Sequence, residues 1–203
     1  ATLWCTMATR PRTSASHHGP LFDTSSAGAP VHTPMAERMR PSTFEAFIGQ
    51  PQTDRFIRDL LAGSHLPSLI LWGPPGSGKT TLAHLIAETV AAECVTLSAV
   101  LSGVREVREA AAQATARRQH NGARTILFVD EIHRFNKSQQ DAFLPYVEDG
   151  TIILIGATTE NPSFALVAPL LSRATVLVLN ALSPVHIRAI LDRALGDTTH
   201  DAH

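Results

Sequence analysis

The sequence is poor in cysteine, and this limits the kinds of site that it can form. Its 203 residues include two cysteines, Cys5 and Cys94. Neither stands in a Cys-x-x-Cys spacing or in a mixed Cys/His ligand spacing. A disulfide framework and a structural zinc site are therefore unsupported, and the protein is expected to work in a reducing compartment.

The sequence also lacks an excess of one charge and any long apolar run. Its 17 basic and 18 acidic residues leave a formal net charge of −1, so the chain as a whole does not attract a polyanion. No run approaches the ~18 to 20 apolar residues that a membrane span needs. We therefore expect no membrane partner, and any contact with nucleic acid has to be local.

Enough apolar residues are present, 44% of the chain, to build one core with attached segments. Residues 1–34 are rich in Ser, Thr, Pro, Gly, Ala and His, which predicts a disordered leader. The absence of acidic residues before Asp23 also allows an organelle transit peptide, the less favoured interpretation. Residues 35–180 are predicted to form the folded core, and residues 181–203 a further, mostly helical segment.

Strand-like and helix-like patterns alternate through the core, as in α/β proteins with a parallel sheet. Apolar runs predict strands at 68–72, 94–98, 125–130, 151–156 and 174–179. Amphipathic stretches predict helices at 80–92, 104–119, 137–148 and 184–195. The predicted fold is thus a five-stranded parallel sheet flanked by helices.

A glycine-rich loop follows the first predicted strand and leads into a predicted helix. In that context it matches a Walker A motif, whose backbone N–H groups cradle phosphates. Lys79 is expected to reach the β- and γ-phosphates, and Thr80 to give its hydroxyl to Mg²⁺. The predicted ATP site comprises Gly73, Pro74, Pro75, Gly76, Ser77, Gly78, Lys79, Thr80 and Thr81.

Two carboxylates end the third predicted strand, where four apolar residues precede Asp130 and Glu131. Alone, such an ending is more often a helix cap than a catalytic pair. Beside a Walker A motif it predicts a Walker B motif. Asp130 is then expected to hold Mg²⁺, and Glu131 to orient and deprotonate the attacking water.

Several further strings carry a family resemblance that covers about residues 34–195. They are MAERMRP, LPSLILWGPPGSGKTTLA, LSAVLSGVREVREA, TILFVDEIHRFNKSQQDAFLPYVEDG, LIGATTENPSF and LLSRA. On these residues the chain resembles AAA+ ATPases, and within them the clamp-loader-like family of replication-associated recombination protein A and Werner-helicase-interacting ATPase. The resemblance implies a P-loop AAA+ core, with residues 181–203 as the truncated start of a small helical lid.

The resemblance also implies a setting for the activity. It implies ATP hydrolysis with DNA at forks, gaps or single-stranded regions, in a homo-oligomer that works with replication or repair proteins. The expected location is the cytoplasm and nucleoid of a bacterium, or the nucleus of a eukaryote. Because the lid is predicted to be incomplete, this chain is expected to bind ATP but to hydrolyse it poorly and to assemble weakly.

Individual roles follow from the same resemblance. Thr159 is similar to the sensor-1 position beside the γ-phosphate, and Arg173 to the arginine finger that reaches the ATP of a neighbouring subunit. Ser98 is either the polar partner that restrains Glu131 or an ordinary serine at a strand end. Residues 39–41 and 48–49 either line the adenine or only pack.

Four cations are candidates for DNA contact: Arg105 and Arg108 on a predicted helix, and Arg134 and Lys137 after the Walker B motif. Ordinary solvated charges are the alternative.

Two other functions stay open. One is an interaction module that keeps nucleotide without much turnover. The other is a fragment of a DExH-type helicase, suggested by His133 two residues after Glu131, although the chain has no room for the second domain that such enzymes need.

Overall fold

The computed structural model describes residues 40–62 and 66–198. The predicted leader at 1–34, Met39 of the predicted adenine-side segment and the last five residues of the predicted lid lie outside these ranges.

Within the described ranges, five strands form a sheet: β1 (Ser68–Trp72), β2 (Glu93–Ser98), β3 (Thr125–Asp130), β4 (Ile153–Thr158) and β5 (Ala174–Val178). The strand order is β2-β3-β4-β1-β5, and each pairing is parallel. The predicted fold class is confirmed.

Helices connect the strands, as parallel pairing requires. They are α1 (Pro51–Ala62), α2 (Lys79–Thr89), α3 (Val104–Asn121), α4 (Lys137–Asp141), α5 (Leu144–Glu148), α6 (Pro162–Ala165), α7 (Ala168–Leu171) and α8 (Pro184–Thr198). Short 3₁₀ turns span Phe44–Ala46 and Ile132–Arg134. Among the described residues, no helix is long and apolar enough to cross a membrane.

Apolar side chains cover both faces of the sheet. Along β1, Leu69 and Leu71 pack on the face that α2 covers, and Ile70 packs on the face that α3 covers. Along β3, Phe128 joins the first face and Leu127 the second. All five side chains are fully buried. Each such burial stabilises the fold by about 1.5 to 3 kcal/mol, which fixes the alternation and therefore the register of the central strands.

The register brings the carboxyl ends of the central strands to one edge of the sheet. Trp72 at the end of β1 pairs with Thr158 at the end of β4. Ser98 at the end of β2 pairs with Asp130 at the end of β3. In open parallel sheets, ligands bind in the crevice outside these carboxyl ends. We call this side of the molecule the carboxyl edge.

The fourth strand begins two residues later than predicted, so the predicted range 151–156 is wrong. The N–H of Thr151 donates to Asp149 Oδ1 at 2.7 Å, and the N–H of Ile152 donates to Tyr146 O at 3.1 Å. Both groups therefore close the turn after α5 instead of joining the ladder. At its other end the strand extends to Thr158, through pairing with β1.

The single helix predicted at 137–148 is also wrong, because the chain forms α4 and α5 with a break between them. Pro145 lies in the first turn of α5. Proline has no N–H, so it cannot donate to the carbonyl of Asp141 and continue the helix. The other predicted ends coincide with the observed ones or differ from them by one to three residues.

Helix α1 was absent from the predicted pattern. It starts with Pro51, a residue that suits the first helical turn. Its Ile57 is fully buried, and its Thr53 hydroxyl donates to Val178 O at 3.2 Å. Helices α6 and α7 have four residues each, too few for an apolar period to show.

We predict that Gly156→Ala destabilises the fold. A Cβ at Gly156 would lie 2.9 Å from Ile132 Cδ1 and 3.0 Å from Ile70 Cδ1, inside the packed face of β4. Overpacking of this kind costs about 1 to 3 kcal/mol. Urea unfolding should show that destabilisation, whereas Gly196→Ala, in α8 with nothing within 4 Å of the added Cβ, should keep or slightly raise stability. Equal stability of Gly156→Ala and wild type would contradict the packing described for this face.

Candidate active site

Left-handed glycines shape the loop between β1 and α2. Gly76 has φ +74° and Gly78 has φ +96°, conformations that residues with a side chain rarely adopt. Gly78 caps α2, which begins at Lys79. The loop therefore turns the first N–H groups of α2, which have no partner inside the helix, toward the carboxyl edge.

Lys79 lies under this loop and is 8% exposed. Its Nζ donates to Gly73 O at 2.8 Å and to Pro74 O at 2.9 Å. Burial lowers the pKa of the ammonium from its ordinary value, while the negative charges of Glu131 and Asp130 act in the opposite direction. Burial thus opposes the charge of this lysine, and the two carboxylates of the second motif favour it.

The loop fits a polyphosphate. Ser77 is 1% exposed, yet its Oγ has no hydrogen-bond partner, and buried polar atoms normally have one. A Cβ on Gly76 would meet nothing within 4 Å, so the loop is open on that side. An unpartnered hydroxyl, free helix amides and a buried cation are the groups that phosphate oxygens engage.

A buried glutamine connects the loop to the last residue before the predicted lid. Gln50 Nε2 donates to Ser77 O at 3.3 Å and to Asn180 O at 2.6 Å, and Gln50 Oε1 accepts from Asn180 N at 3.0 Å. The preceding residue, Gly49, has room for no Cβ, which would collide with Leu182. Gly49 of the predicted adenine segment therefore lies against Leu182 and His186, at the start of α8.

The end of β3 is strained at Glu131. This residue has φ +54° and ψ +42°, a left-handed conformation that costs a non-glycine residue about 1 to 3 kcal/mol. Its N–H donates to Asp130 Oδ1 at 3.1 Å. The turn separates the two carboxylates, so that Asp130 ends the strand and Glu131 caps the 3₁₀ turn that begins at Ile132.

Glu131 contacts His133, which the sequence motifs had suggested only for the helicase alternative. Glu131 Oε2 lies 3.2 Å from His133 Nε2. Within the described part of the chain, no hydrogen bond joins Ser98 to Glu131, and Ser98 is half-buried at the end of β2. The one available signal for the histidine contact was the spacing, since a histidine two residues after a strand-end carboxylate can fold back over a short turn.

The tip of β4 lies beside the start of the loop. Thr158 is fully buried, and its carbonyl accepts from Gly73 N at 3.2 Å. Thr159 follows directly and is partly exposed. The predicted sensor position is thus adjacent to the phosphate-binding loop.

A magnesium ion in a nucleotide site needs few protein ligands. Among the described residues no group of three or more His, Cys, Asp or Glu side chains could hold a metal ion. Mg²⁺ in nucleotide sites is held by one or two protein oxygens together with phosphates and water. The residues suited to that role are Thr80, in the first turn of α2, and Asp130.

Arg173 does not join this group. It precedes β5, whose first residue pairs with Ser68 at the start of β1. Its Nη2 lies 2.7 Å from Glu148 Oε1, and its Nη1 donates to Pro169 O at 2.8 Å. At about 3.3 Å per residue, the five residues of β1 separate Arg173 from the loop by on the order of 15 Å. Arg173 therefore lies at the amino edge of the sheet.

The four predicted DNA contacts belong to neighbouring elements at the carboxyl edge. A Cβ on Gly103, before α3, would lie 3.9 Å from Gln139 Nε2 of α4. The four side chains are exposed. Arg105 differs in having acidic partners, Glu106 at 3.1 Å and Glu109 at 3.6 Å. We call Arg105, Arg108, Arg134 and Lys137 the exposed cations at the carboxyl edge.

Comparison with known proteins agrees with the site. The model of the ATPase family associated with various cellular activities (AAA) matches residues 69–181. Replication-associated recombination protein A of Escherichia coli K12 is 54% identical over 169 residues, covering 82% of this chain and 38% of that protein. ATPase WRNIP1 of Dictyostelium discoideum is 47% identical over 168 residues, covering 81% of this chain and 19% of that protein. The chain thus spans about two fifths of the length of its bacterial relative.

Among solved structures, the RuvB Holliday junction branch migration motor of Thermotoga maritima superposes with a TM-score of 0.67 and 33% identity, covering 79% of this chain and 55% of that one. The relatives agree with the resemblance that the motifs carry. The chain belongs to the AAA family of ATPases.

Proposed function

We propose that this chain binds ATP with Mg²⁺ and hydrolyses it at the carboxyl edge of its sheet. The observation that carries the proposal is the closeness of two half-sites from distant parts of the sequence. Lys79 and the open loop follow β1, Asp130 and Glu131 lie at the end of β3, and the pairing of both strands with β4 brings these ends to the same edge of the sheet. Membership of an ATPase family supports the same reaction.

Each residue has a separate task in this reaction. The loop amides and Lys79 bind and neutralise the phosphates, and Thr80 and Asp130 would hold the metal ion. When bound, Mg²⁺ neutralises charge on the phosphate oxygens. Glu131 orients a water molecule and takes its proton as the water oxygen bonds to the γ-phosphorus and the bond to ADP breaks. Thr159, beside the loop, helps to orient that water.

We further propose that Arg173 acts on the ATP of a neighbouring copy. Its place at the amino edge keeps it away from its own loop, and an arginine can contribute ~10³ to 10⁵ in rate when it meets transition-state charge. The ion pair with Glu148 has to be exchanged for the neighbour's phosphate. The proposal implies a homo-oligomer with head-to-tail contacts.

We propose DNA as the macromolecular partner, at forks, gaps or single-stranded regions, together with replication or repair proteins. The similarity to proteins named for replication-associated recombination and for Holliday junction branch migration supports this. The exposed cations at the carboxyl edge supply a local site on a chain whose net charge is near zero. The expected compartment is the one that holds the DNA, the cytoplasm and nucleoid in a bacterium.

The first experiment compares Lys79→Ala with Glu131→Gln. Removing the lysine abolishes a charged hydrogen bond of about 1.5 to 3 kcal/mol, so ATP affinity should fall by roughly 10- to 100-fold in calorimetric titration. Glu131→Gln should bind ATP as wild type does, while phosphate release falls by about 10² to 10⁴. Unchanged ATP affinity in Lys79→Ala, or normal turnover in Glu131→Gln, would overturn the corresponding assignment. Tight binding without turnover in the wild type would favour the non-enzymatic interaction module.

The second experiment tests whether Arg173 acts between copies. Arg173→Ala and Glu131→Gln should each be nearly inactive alone. Mixed at concentrations where wild-type turnover rises with protein concentration, they should recover activity, because a site with intact Glu131 then meets a neighbour with intact Arg173. The matched control mixes Arg173→Ala with a chain that carries both substitutions, and it should recover nothing. Equal turnover in the two mixtures would rule out action on a neighbour's ATP.

The third experiment tests the proposed DNA site. Alanine at Arg108, Arg134 or Lys137 should weaken binding of forked DNA and lower the slope of log K against log[salt] by about 1 for each phosphate that is no longer neutralised. Arg105→Ala should have the smallest effect of the four, because Glu106 and Glu109 already offset its charge. Arg124→Ala, an exposed position at the amino edge, is the control. If the control alters DNA binding as much as the four variants, the attraction is not local to the carboxyl edge.

A further inference from the structure

We infer that His133 is a positioning residue for the ATPase reaction. It holds Glu131 in place through its Nε2–H, and Thr158 orients its ring. The inference rests on the proposed function, because it concerns the residue assigned there as the base. It adds a component that neither motif contains. The two motifs supply phosphate binding and the base, but they do not explain what fixes the carboxylate of Glu131.

The imidazole of His133 is enclosed by three partners. Its side chain is 5% exposed. Nε2 lies 3.2 Å from Glu131 Oε2 and 3.6 Å from Glu160 Oε1. Nδ1 lies 3.0 Å from Thr158 Oγ1. Both ring nitrogens therefore have a partner, and the partners come from the ends of two neighbouring strands, β3 and β4.

The two carboxylates near Nε2 determine that this ring nitrogen is a donor. Ionised carboxylates only accept hydrogen bonds, so the nitrogen that faces Glu131 and Glu160 carries a proton. The Thr158 hydroxyl accepts from Glu160 N at 3.0 Å, and its single hydrogen has two groups within reach, Nδ1 of His133 at 3.0 Å and Glu160 O at 3.2 Å. The ring therefore presents Nε2–H to Glu131, while Nδ1 pairs with the Thr158 hydroxyl.

The contact with His133 restrains the carboxylate of Glu131, which has few other restraints. Glu131 leaves β3 through a left-handed backbone conformation, and its side chain is one third exposed. A general base works only within hydrogen-bond reach of its water, and a displacement of about 1 Å can cost ~10² in rate. The His133 donor limits the positions that the carboxylate can take.

The same histidine connects the base to the phosphate-binding loop. Thr158, which orients the ring, is fully buried, and its carbonyl accepts from Gly73 N at 3.2 Å. Glu131, His133, Thr158 and Gly73 thus form a continuous chain of contacts across three strand ends. Movement of the loop or of the β4 tip would therefore reach Glu131 through the histidine.

The test uses two substitutions that each reproduce the reach of one ring nitrogen. In His133→Gln the amide nitrogen reaches about as far as Nε2 and can still donate to Glu131. In His133→Asn the amide reaches only about as far as Nδ1, so it is too short to donate to Glu131. We expect kcat to fall about 10- to 100-fold in His133→Asn and by less than about 3-fold in His133→Gln. ATP affinity and KM should stay at the wild-type value in both.

A merely structural role would not give this pattern. Both substitutions remove a buried ring and should lower the urea midpoint by similar amounts, so stability cannot produce a difference in kcat alone. In the Glu131→Gln background, His133→Asn should cause no further decrease in kcat, because the group on which it acts is gone. Glu160→Ala removes the second carboxylate and should keep kcat within about 2-fold of wild type.

The outcomes separate this inference from the proposed function. If the wild type binds ATP without hydrolysing it, the proposed function fails. If the wild type hydrolyses ATP and the Asn and Gln variants have equal kcat, or Glu160→Ala lowers kcat as much as His133→Asn, the inference fails. Should His133→Asn not fold, Thr158→Val replaces it, since it keeps the volume and removes the hydroxyl. A several-fold decrease in kcat at unchanged ATP affinity is expected there, and an unchanged kcat would overturn the inference.

Discussion

The site depends on the parallel pairing of β1 with β4, the strand that lies between β1 and β3. The register places Trp72 opposite Thr158, so the loop after β1 and the tip of β4 emerge side by side. Apolar side chains on both faces hold that register, because a slip of one residue would turn Leu69, Ile70 and Leu71 to the wrong faces. The phosphate-binding loop and the carboxylates of β3 therefore lie at the same edge of the sheet.

Strain and restraint are combined at the residue assigned as the base. The left-handed conformation of Glu131 costs about 1 to 3 kcal/mol, and such residues persist only where the surrounding structure fixes them. Asp130 accepts the Glu131 N–H, and His133 faces its carboxylate. The strained turn moves Glu131 off the line of β3, so that two adjacent residues can take different tasks. Asp130 would hold the metal ion, and Glu131 would orient the attacking water.

Motifs with a fixed spacing could be predicted from the sequence, but contacts between distant segments could not. The strands β1 and β3 were predicted with their observed bounds, because the apolar run of β1 stops before Gly73 and that of β3 stops at Asp130. The break before Pro145 follows from a missing N–H, yet apolar periodicity on either side concealed it. The bond of Gln50 to Asn180 joins residues 130 positions apart, and no local pattern reports it. His133 was visible as a residue, but its contact with Thr158 depends on the register of β4.

A parallel sheet also restricts where an arginine of the same chain can act. All strands run one way, so a residue that precedes a strand lies at the amino edge, opposite the loops that follow the strands. Arg173 precedes β5 and contacts Glu148, while the phosphate-binding loop follows β1. No rotamer of an arginine spans the length of a five-residue strand and its flanking loops. If Arg173 contributes to hydrolysis, the ATP that it reaches has to belong to another copy, and the contact is head-to-tail. Such contacts join unlike edges of identical chains, and they close into a ring or continue as a filament according to the rotation between neighbours.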